Sequence, residues 1–426
     1  MPITCLNPII APQIYAMKGL VLFIFVACVT VSGFAQRIDG AVIKTHIEYL
    51  AGNKLKGRAP GTGGEKQAGK YIANLFAQYG LEAKGTDGYF QKFTYRQSNN
   101  PHDTVGATGK KYEGRNVIGF LDNKAATTIV IGAHYDHLGT DGRGSSLDKE
   151  PKGKVHNGAD DNASGTAGVL ELAHYFTGNN VKEPVNFLFM CYSAEEAGLI
   201  GSKYFTNNPT IDLKQVHCML NMDMIGRLVD STQKLMVYGV GTSDVFVDKL
   251  NALNHSRFQL VLDSAGVGPS DQTSFYLKQI PVLHFFTGQH KDYHKPTDDA
   301  DKINYTGEVK VLEYMIDIIN DLAGLPKLNF YKTQAKESGK SSFKVTLGVM
   351  PDYSFQGKGL RIDAVNKDKP AEKAGLKDGD IVIQLGEIKV ENIYDYMSAL
   401  GKFTKGQTTL VIVKRGEEIV RTEVTF

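Results

Sequence analysis

The chain has 426 residues, 42% of them hydrophobic and 22% charged, with a formal net charge of +2. That length exceeds what one small core organises and predicts two domains. With 48 Lys and Arg against 46 Asp and Glu, and no basic cluster interleaved with aromatics, the chain lacks the field that gathers nucleic acid or an anionic membrane.

The first segment reads as a targeting signal. Lys18 precedes an uncharged, mostly apolar run, Gly19–Val31, followed by Ser32-Gly33-Phe34-Ala35 and Gln36-Arg37. A positive flank, an apolar stretch and small residues before the cut describe a secretory signal over residues 1–35, cleaved after Ala35, with 1–16 as an upstream extension ahead of a natural start at Met17. Export to the periplasm or the extracellular space is expected, with no stable membrane partner; an uncleaved anchor is the lesser alternative. Past the signal only Cys191 and Cys218 remain, in apolar runs that suit either a disulfide or two buried thiols.

Helical periodicity covers residues 38–52 and 63–80; in the second, Ala68, Tyr71, Ile72, Leu75 and Phe76 share a face and Gly80 supplies the stop. Short apolar runs at Thr127–Gly132, Val185–Tyr192, Val216–Asn221, Lys234–Gly239 and Pro281–Phe286 predict buried strands. Helices are predicted at Asn162–Thr177 and Thr306–Ala323. This alternation predicts an α/β fold: a three-layer domain over 36–324 with a mostly parallel central sheet flanked by helices. A polar, lysine-rich linker follows at 325–342. Residues 343–426 form a small β-rich domain, with strands at Leu360–Val365, Ile381–Leu385, Thr409–Lys414 and Ile419–Thr425 and helices at Ala371–Ala374 and Asn392–Phe403.

Chemistry concentrates in five segments of the larger domain: His134 in GAHYDHLG, Asp161 in NGADDNASG, Glu195-Glu196 in SAEEAG, Asp223 in NMDMIG and His294 in DYHKPTD. Two imidazoles and three carboxylates suit a pair of zinc ions, and one glutamate is left over as a base. His134, the glutamate pair and Asp223 follow apolar strands, and the carboxyl ends of strands are where open α/β sheets place their sites. Asp136, two residues after His134, is placed to accept that imidazole's other N–H. His137 reads as a loop residue or a support, and His156 and His290 as surface residues. The composition is that of a water-activating metallohydrolase.

With those five segments in this order, the chain from about 40 to 323 resembles the M28 family of co-catalytic zinc aminopeptidases. The resemblance implies two zinc ions per chain. His134 and Asp223 would complete one, Glu196 and His294 the other, and Asp161 would bridge both. Glu195 would be the general base, Asp136 the residue that orients His134, and Tyr293 the hydroxyl that stabilises a tetrahedral oxyanion. A cis peptide is implied at Asp161–Asn162. Peptides with a free N-terminus are the implied substrates. Phe275, Tyr276 and Ile225 are expected as pocket walls.

The run Pro370–Ile381 (PAEKAGLKDGDI) resembles the PDZ domains of bacterial proteases, which add a peptide strand to a sheet edge and capture a terminal carboxylate on backbone N–H groups. Lys358-Gly359-Leu360 stands where that carboxylate loop should be, with Lys358 in place of the usual apolar residue. A peptide or protein C-terminus is the implied partner.

Three other functions compete. A glutaminyl cyclase-like acyltransferase shares the fold but uses one zinc and tryptophans around its substrate, and this chain has no Trp. A glutamate-releasing carboxypeptidase would want an arginine patch and a larger insert. A binding module with a dead site would have no need of Glu195.

Overall fold

The computed structural model describes residues 1–2, 37–97, 110–333, 345–351, 357–365, 369–391 and 393–426. Residues 3–35 of the expected secretory signal, half of the linker and part of the segment before Lys358 lie outside the described residues. No helix among the described residues is long and apolar enough to cross a membrane.

A nine-stranded sheet organises the larger part. Its path runs Glu82–Ala83, Lys110–Leu121, Asn186–Tyr192, Thr128–His134, Val216–Met222, Val282–Phe286, Lys234–Tyr238 and Gln259–Asp263, with Phe90–Gln97 paired to Lys110–Leu121 off that path. From Asn186–Tyr192 through Val282–Phe286 the neighbouring strands run parallel. The strands that flank them, Lys110–Leu121 and Lys234–Tyr238, join antiparallel.

Thr128–His134, Asn186–Tyr192 and Val216–Met222 are buried at every residue. Each is covered on both faces, which is why it reads as an unbroken apolar run. The pleat splits their side chains between two cores. Ile129, Ile131, Phe187, Phe189, Cys191 and Leu220 join the cluster built with helices Gly40–Leu50, Gly63–Gln78, Gly165–Gly178 and Tyr305–Ala323. Val130, Leu188, Met190, Tyr192 and Met219 face the other way, against Phe205, Phe275 and Tyr276. Each buried Phe, Leu or Ile contributes about 1.5–3 kcal/mol of transfer free energy. Cys191 and Cys218 are free and buried. They pair with Ala133 and Ile129 on opposite sides of the Thr128–His134 strand, so that strand stands between them and a disulfide is out of reach.

Several local features depart from the pattern the sequence predicts, among them the helices Ile200–Asn207, Phe246–Asn254 and Gln272–Tyr276, which it did not anticipate. The helix expected from Asn162 begins at Gly165, because Asp161 (φ −106°, ψ 91°) and Asn162 (φ −134°, ψ 50°) are not helical. The hairpin Phe90–Gln97/Lys110–Leu121 was not expected: Gln91, Phe93 and Tyr95 are buried while Lys92, Thr94 and Arg96 are exposed, a period-2 pattern diluted by polar residues. The strand Gln259–Asp263 was missed for a similar reason, lying at the edge and only half covered.

Beyond residue 344 a second, six-stranded sheet runs Val349–Pro351, Leu360–Val365, Ile381–Leu385, Thr408–Arg415, Glu418–Thr425, with Ile388–Lys389 paired to Ile381–Leu385. Its core is a separate cluster including Leu347, Leu360, Ile362, Val382, Leu385, Val411 and Val413. Asp380, in the Gly-Asp turn, is buried and takes a two-pronged grip from Arg415, Nε to Oδ1 at 2.7 Å and a second guanidinium nitrogen to Oδ2 at 2.8 Å.

Candidate active site

The five predicted segments meet at the carboxyl ends of the parallel strands. His134 is the last residue of its strand, and Asp223 immediately follows Val216–Met222. The glutamates lie in the turn after Asn186–Tyr192, and His294 in the loop after Val282–Phe286. Asp161 comes from the irregular turn Ala159–Ser164 that feeds the helix Gly165–Gly178. The Asp161–Asn162 peptide is cis.

Asp161 stands at the centre. Its Oδ1 is 3.4 Å from His134 Nε2, and its Oδ2 is 3.2 Å from His294 Nε2. His134 Nε2 is also 3.4 Å from Asp223 Oδ1, and His294 Nε2 is 3.2 Å from Glu196 Oε2. Glu195 Oε2 lies 3.9 Å from His134 Nε2. Donor atoms of His134, Asp161 and Asp223 all fall within 4.8 Å of one another, as do those of His137, Asp161 and Glu196. One carboxylate is therefore common to two adjoining donor sets.

Buried polar groups fix this geometry. Asp298 Oδ2 accepts the backbone N–H groups of Asp160 and Asp161 at 2.9 and 3.1 Å. Asn162 donates to Met222 O at 2.9 Å and accepts from the N–H groups of Gly165 and Met224, tying the turn to the segment that carries Asp223. Arg58 is fully buried and donates to four carbonyls: Leu50, Tyr135, Asn157 and Gly158, at 2.6–2.9 Å. It thereby clamps the chain between His134 and Asp136 to the approach to Asp161.

Electrostatics show what the cluster requires. Burial pushes the Asp161 carboxyl up, but the imidazoles of His137, His134 and His294 outweigh it and hold it well below the usual range. Glu196 is likewise drawn down to about 2, His294 and His137 overcoming burial. Burial favours neutral His134 and His294, yet the surrounding carboxylates pull both well above the ordinary imidazole value. Glu195 goes the other way, pushed well up by burial and then by its acidic neighbours, against the pull of His134. The carboxylates are thus drawing positive charge onto the imidazoles. A divalent cation supplies that charge more compactly, and mixed imidazole and carboxylate donors suit zinc, so the residues fit the metal.

Several residues stand elsewhere than expected. The carboxylate of Asp136 is 3.8 Å from His134 Nδ1, whose nearer acceptor is the backbone carbonyl of Asp136 at 3.2 Å. That carboxylate instead accepts the backbone N–H of Glu195, because the two loops cross at this point. His137 is closer to the chemistry than a loop position suggests, its Nδ1 2.8 Å from Glu196 Oε1. His290 Nε2 meets Asp160 Oδ2 at 3.1 Å, and His156 is buried against Ser146 Oγ at 2.7 Å; neither is a surface residue.

A half-open cleft, about 550 Å³ counting the space open to solvent, lies over the cluster, with Met224, Tyr238, Phe286 and Tyr293 among its walls. Tyr293 stacks on His294, ring centroids 3.9 Å apart. Phe275, Tyr276 and Ile225, expected as walls, are buried in the cores behind it. Met224 replaces Ile225 because the left-handed turn at Met224 (φ 55°) sends Ile225 inward. His284, which the sequence left unassigned, also lines the cleft. No motif surrounds it; only its place in a buried strand could have raised it.

Clustered imidazoles and carboxylates at the carboxyl edge of an α/β sheet define a protein with a candidate metal site. Residues 116–319 match the peptidase family M28 model and residues 339–426 the PDZ domain model. The chain carries an M28 peptidase domain followed by a PDZ domain. Leupeptin-inactivating enzyme 1 of Streptomyces exfoliatus is 29% identical over 268 residues, covering 62% of this chain and 52% of that protein. The chain thus spans about half the length of that relative. A zinc aminopeptidase from Bacillus subtilis superposes with a TM-score of 0.54 at 16% identity, over 70% of this chain and 99% of the other. The glutaminyl cyclase of Bacteroides thetaiotaomicron gives 0.53 at 17% identity, over 67% and 98%. Those two likenesses concern the fold, which both chemistries share.

Proposed function

We propose that this chain is an exported aminopeptidase that removes N-terminal residues from peptides using two zinc ions. The observation that carries the reading is Asp161, whose Oδ1 faces the imidazole of His134 and whose Oδ2 faces that of His294. Asp161 would bridge the ions, with His134 and Asp223 on one and Glu196 and His294 on the other. When bound, such an ion pair activates water near neutral pH and polarises the scissile carbonyl.

The chain's own residues supply the rest. Glu195, largely enclosed and pushed up by burial, suits a proton acceptor working near neutral pH. It takes a proton from the attacking water and returns it to the leaving amine. Tyr293 lines the cleft beside His294, and its hydroxyl is assigned the oxyanion formed there. Carboxylates around the centre attract a substrate α-ammonium, which favours a free N-terminus. The cyclase alternative is disfavoured by the absence of tryptophan. Export rests on the sequence of residues 18–37, and the PDZ domain is assigned a peptide C-terminus by its class.

Metal analysis with a panel of aminoacyl p-nitroanilides tests this reading. Two zinc per chain and turnover of free-amine substrates are expected, with Asp161→Ala emptying both positions. One zinc per chain, or turnover only of N-terminal glutamine into a ring, would replace the aminopeptidase with the cyclase.

A further inference from the structure

A second cavity of about 270 Å³ adjoins the cleft, and Glu196 lines both. Its other walls include Pro60, Tyr95, His137, Arg143 and Ser145. That volume includes space open to solvent, so the hollow is a shallow recess beside the cleft that receives part of one residue and not an extended peptide.

Its polar groups are built to receive an acceptor. Tyr95 is 9% exposed, and its hydroxyl has no hydrogen-bond partner among the described residues. Burial pushes that hydroxyl up, so it remains a donor. Arg143 lies over the Tyr112 ring, 5.1 Å from its centroid, and donates one hydrogen bond, to Pro60 O at 3.1 Å. Among the described residues it makes no ion pair. His137 is fully buried; with its Nδ1–H directed at Glu196, its Nε2 is left as an unpartnered acceptor. Unmet buried polar groups of this kind are costly unless a ligand completes them. Two donors, one of them a cation, call for a carboxylate, and a free imidazole nitrogen calls for an N–H. A single amino-acid residue with a carboxylate carries both.

We infer that this cavity is the subsite for the residue following the scissile bond, with Arg143 and Tyr95 binding a carboxylate on that residue. The inference rests on the aminopeptidase reading, which puts the N-terminal side chain in the larger cleft and leaves the next residue on the Glu196 side. The enzyme therefore favours dipeptides, or peptides with an acidic second residue, over neutral amides. The carboxylate can be the terminal one or a side chain's.

The test compares kcat/KM for Leu-Leu, Leu-Leu-amide and Leu-Glu-amide in the full-length, zinc-loaded protein and in Arg143→Gln and Tyr95→Phe. The wild type is expected to favour Leu-Leu over Leu-Leu-amide about tenfold, the scale of one charge-assisted hydrogen-bonded contact. Arg143→Gln should bring that ratio to near one, and Tyr95→Phe, which keeps the ring, should lower it partway. Leu-Glu-amide behaving like Leu-Leu assigns the site to side-chain carboxylates as well; behaving like Leu-Leu-amide confines it to the terminal one. The same ratio in all three proteins overturns the subsite, including when both substrates slow together. Wild type unable to cleave leucine p-nitroanilide would instead count against the aminopeptidase reading. Calorimetric titration with N-acetyl-leucine then judges the cavity alone: several-fold weaker binding in Arg143→Gln supports it, and unchanged binding overturns it.

Discussion

Oδ1 of Asp136 accepts the backbone N–H of Glu195 at 3.0 Å. The loop that ends the His134 strand thus holds the loop that carries Glu195. Asp136→Asn keeps an oxygen at that place, whereas Asp136→Ala removes it. We expect Asn to retain most of the kcat and Ala to lose ~10–100-fold, the scale of one hydrogen bond to a charged group. Equal losses in steady-state assays would show that the charge of Asp136, rather than this hydrogen bond, is what the site uses.

Glu195→Gln preserves shape and removes the carboxylate proposed to accept the proton. Turnover of aminoacyl p-nitroanilides should fall by at least ~10²-fold, the range for general-base catalysis, with zinc content near that of the wild type. A variant with nearly full activity excludes Glu195 from the reaction.

Arg58 donates to four buried carbonyls with no solvent to replace it. Arg58→Met should destabilise the fold by ~3–5 kcal/mol, the scale for removing one partner from a buried charged network. It should also weaken zinc retention, since the approaches to His134 and Asp161 lose their common clamp. Urea unfolding and a chelator competition measure the two effects, and a Met variant matching wild type in both would reduce Arg58 to filler.

Glu308, in the first turn of the helix Tyr305–Ala323, is fully buried with both carboxylate oxygens unpartnered. Burial, then Asp160 and Glu171, push it well above its ordinary value of 4.5. A raised folded pKa means that its contribution is fully present below pH 4.5 and is lost as pH rises through the folded value. Glu308→Gln should therefore melt higher than wild type at pH 8, by ~2–4 °C for each kcal/mol relieved, with the gap closing toward pH 4. A gap independent of pH in calorimetry would refute the ionisation account.

Much of the α/β layering was legible because the sheet's central strands are covered on both faces. A strand buried at all seven positions, as Thr128–His134 is, writes itself as an apolar run. The hairpin Phe90–Gln97/Lys110–Leu121 lies to one side of that centre, and the exposed polar residues between its buried ones blurred the same signal.

The donor residues could be named from sequence because imidazoles and carboxylates in Gly- and Asn-rich turns after apolar strands are chemically unusual. Their partners could not. That His137 reaches Glu196, that Asp136 holds Glu195 and that Arg58 spans four carbonyls are contacts between residues 8 to 100 apart in the chain. Side-chain chemistry is a property of each residue and is written locally. Which groups meet depends on how strands and loops pack, and that was decided only when the chain closed on itself.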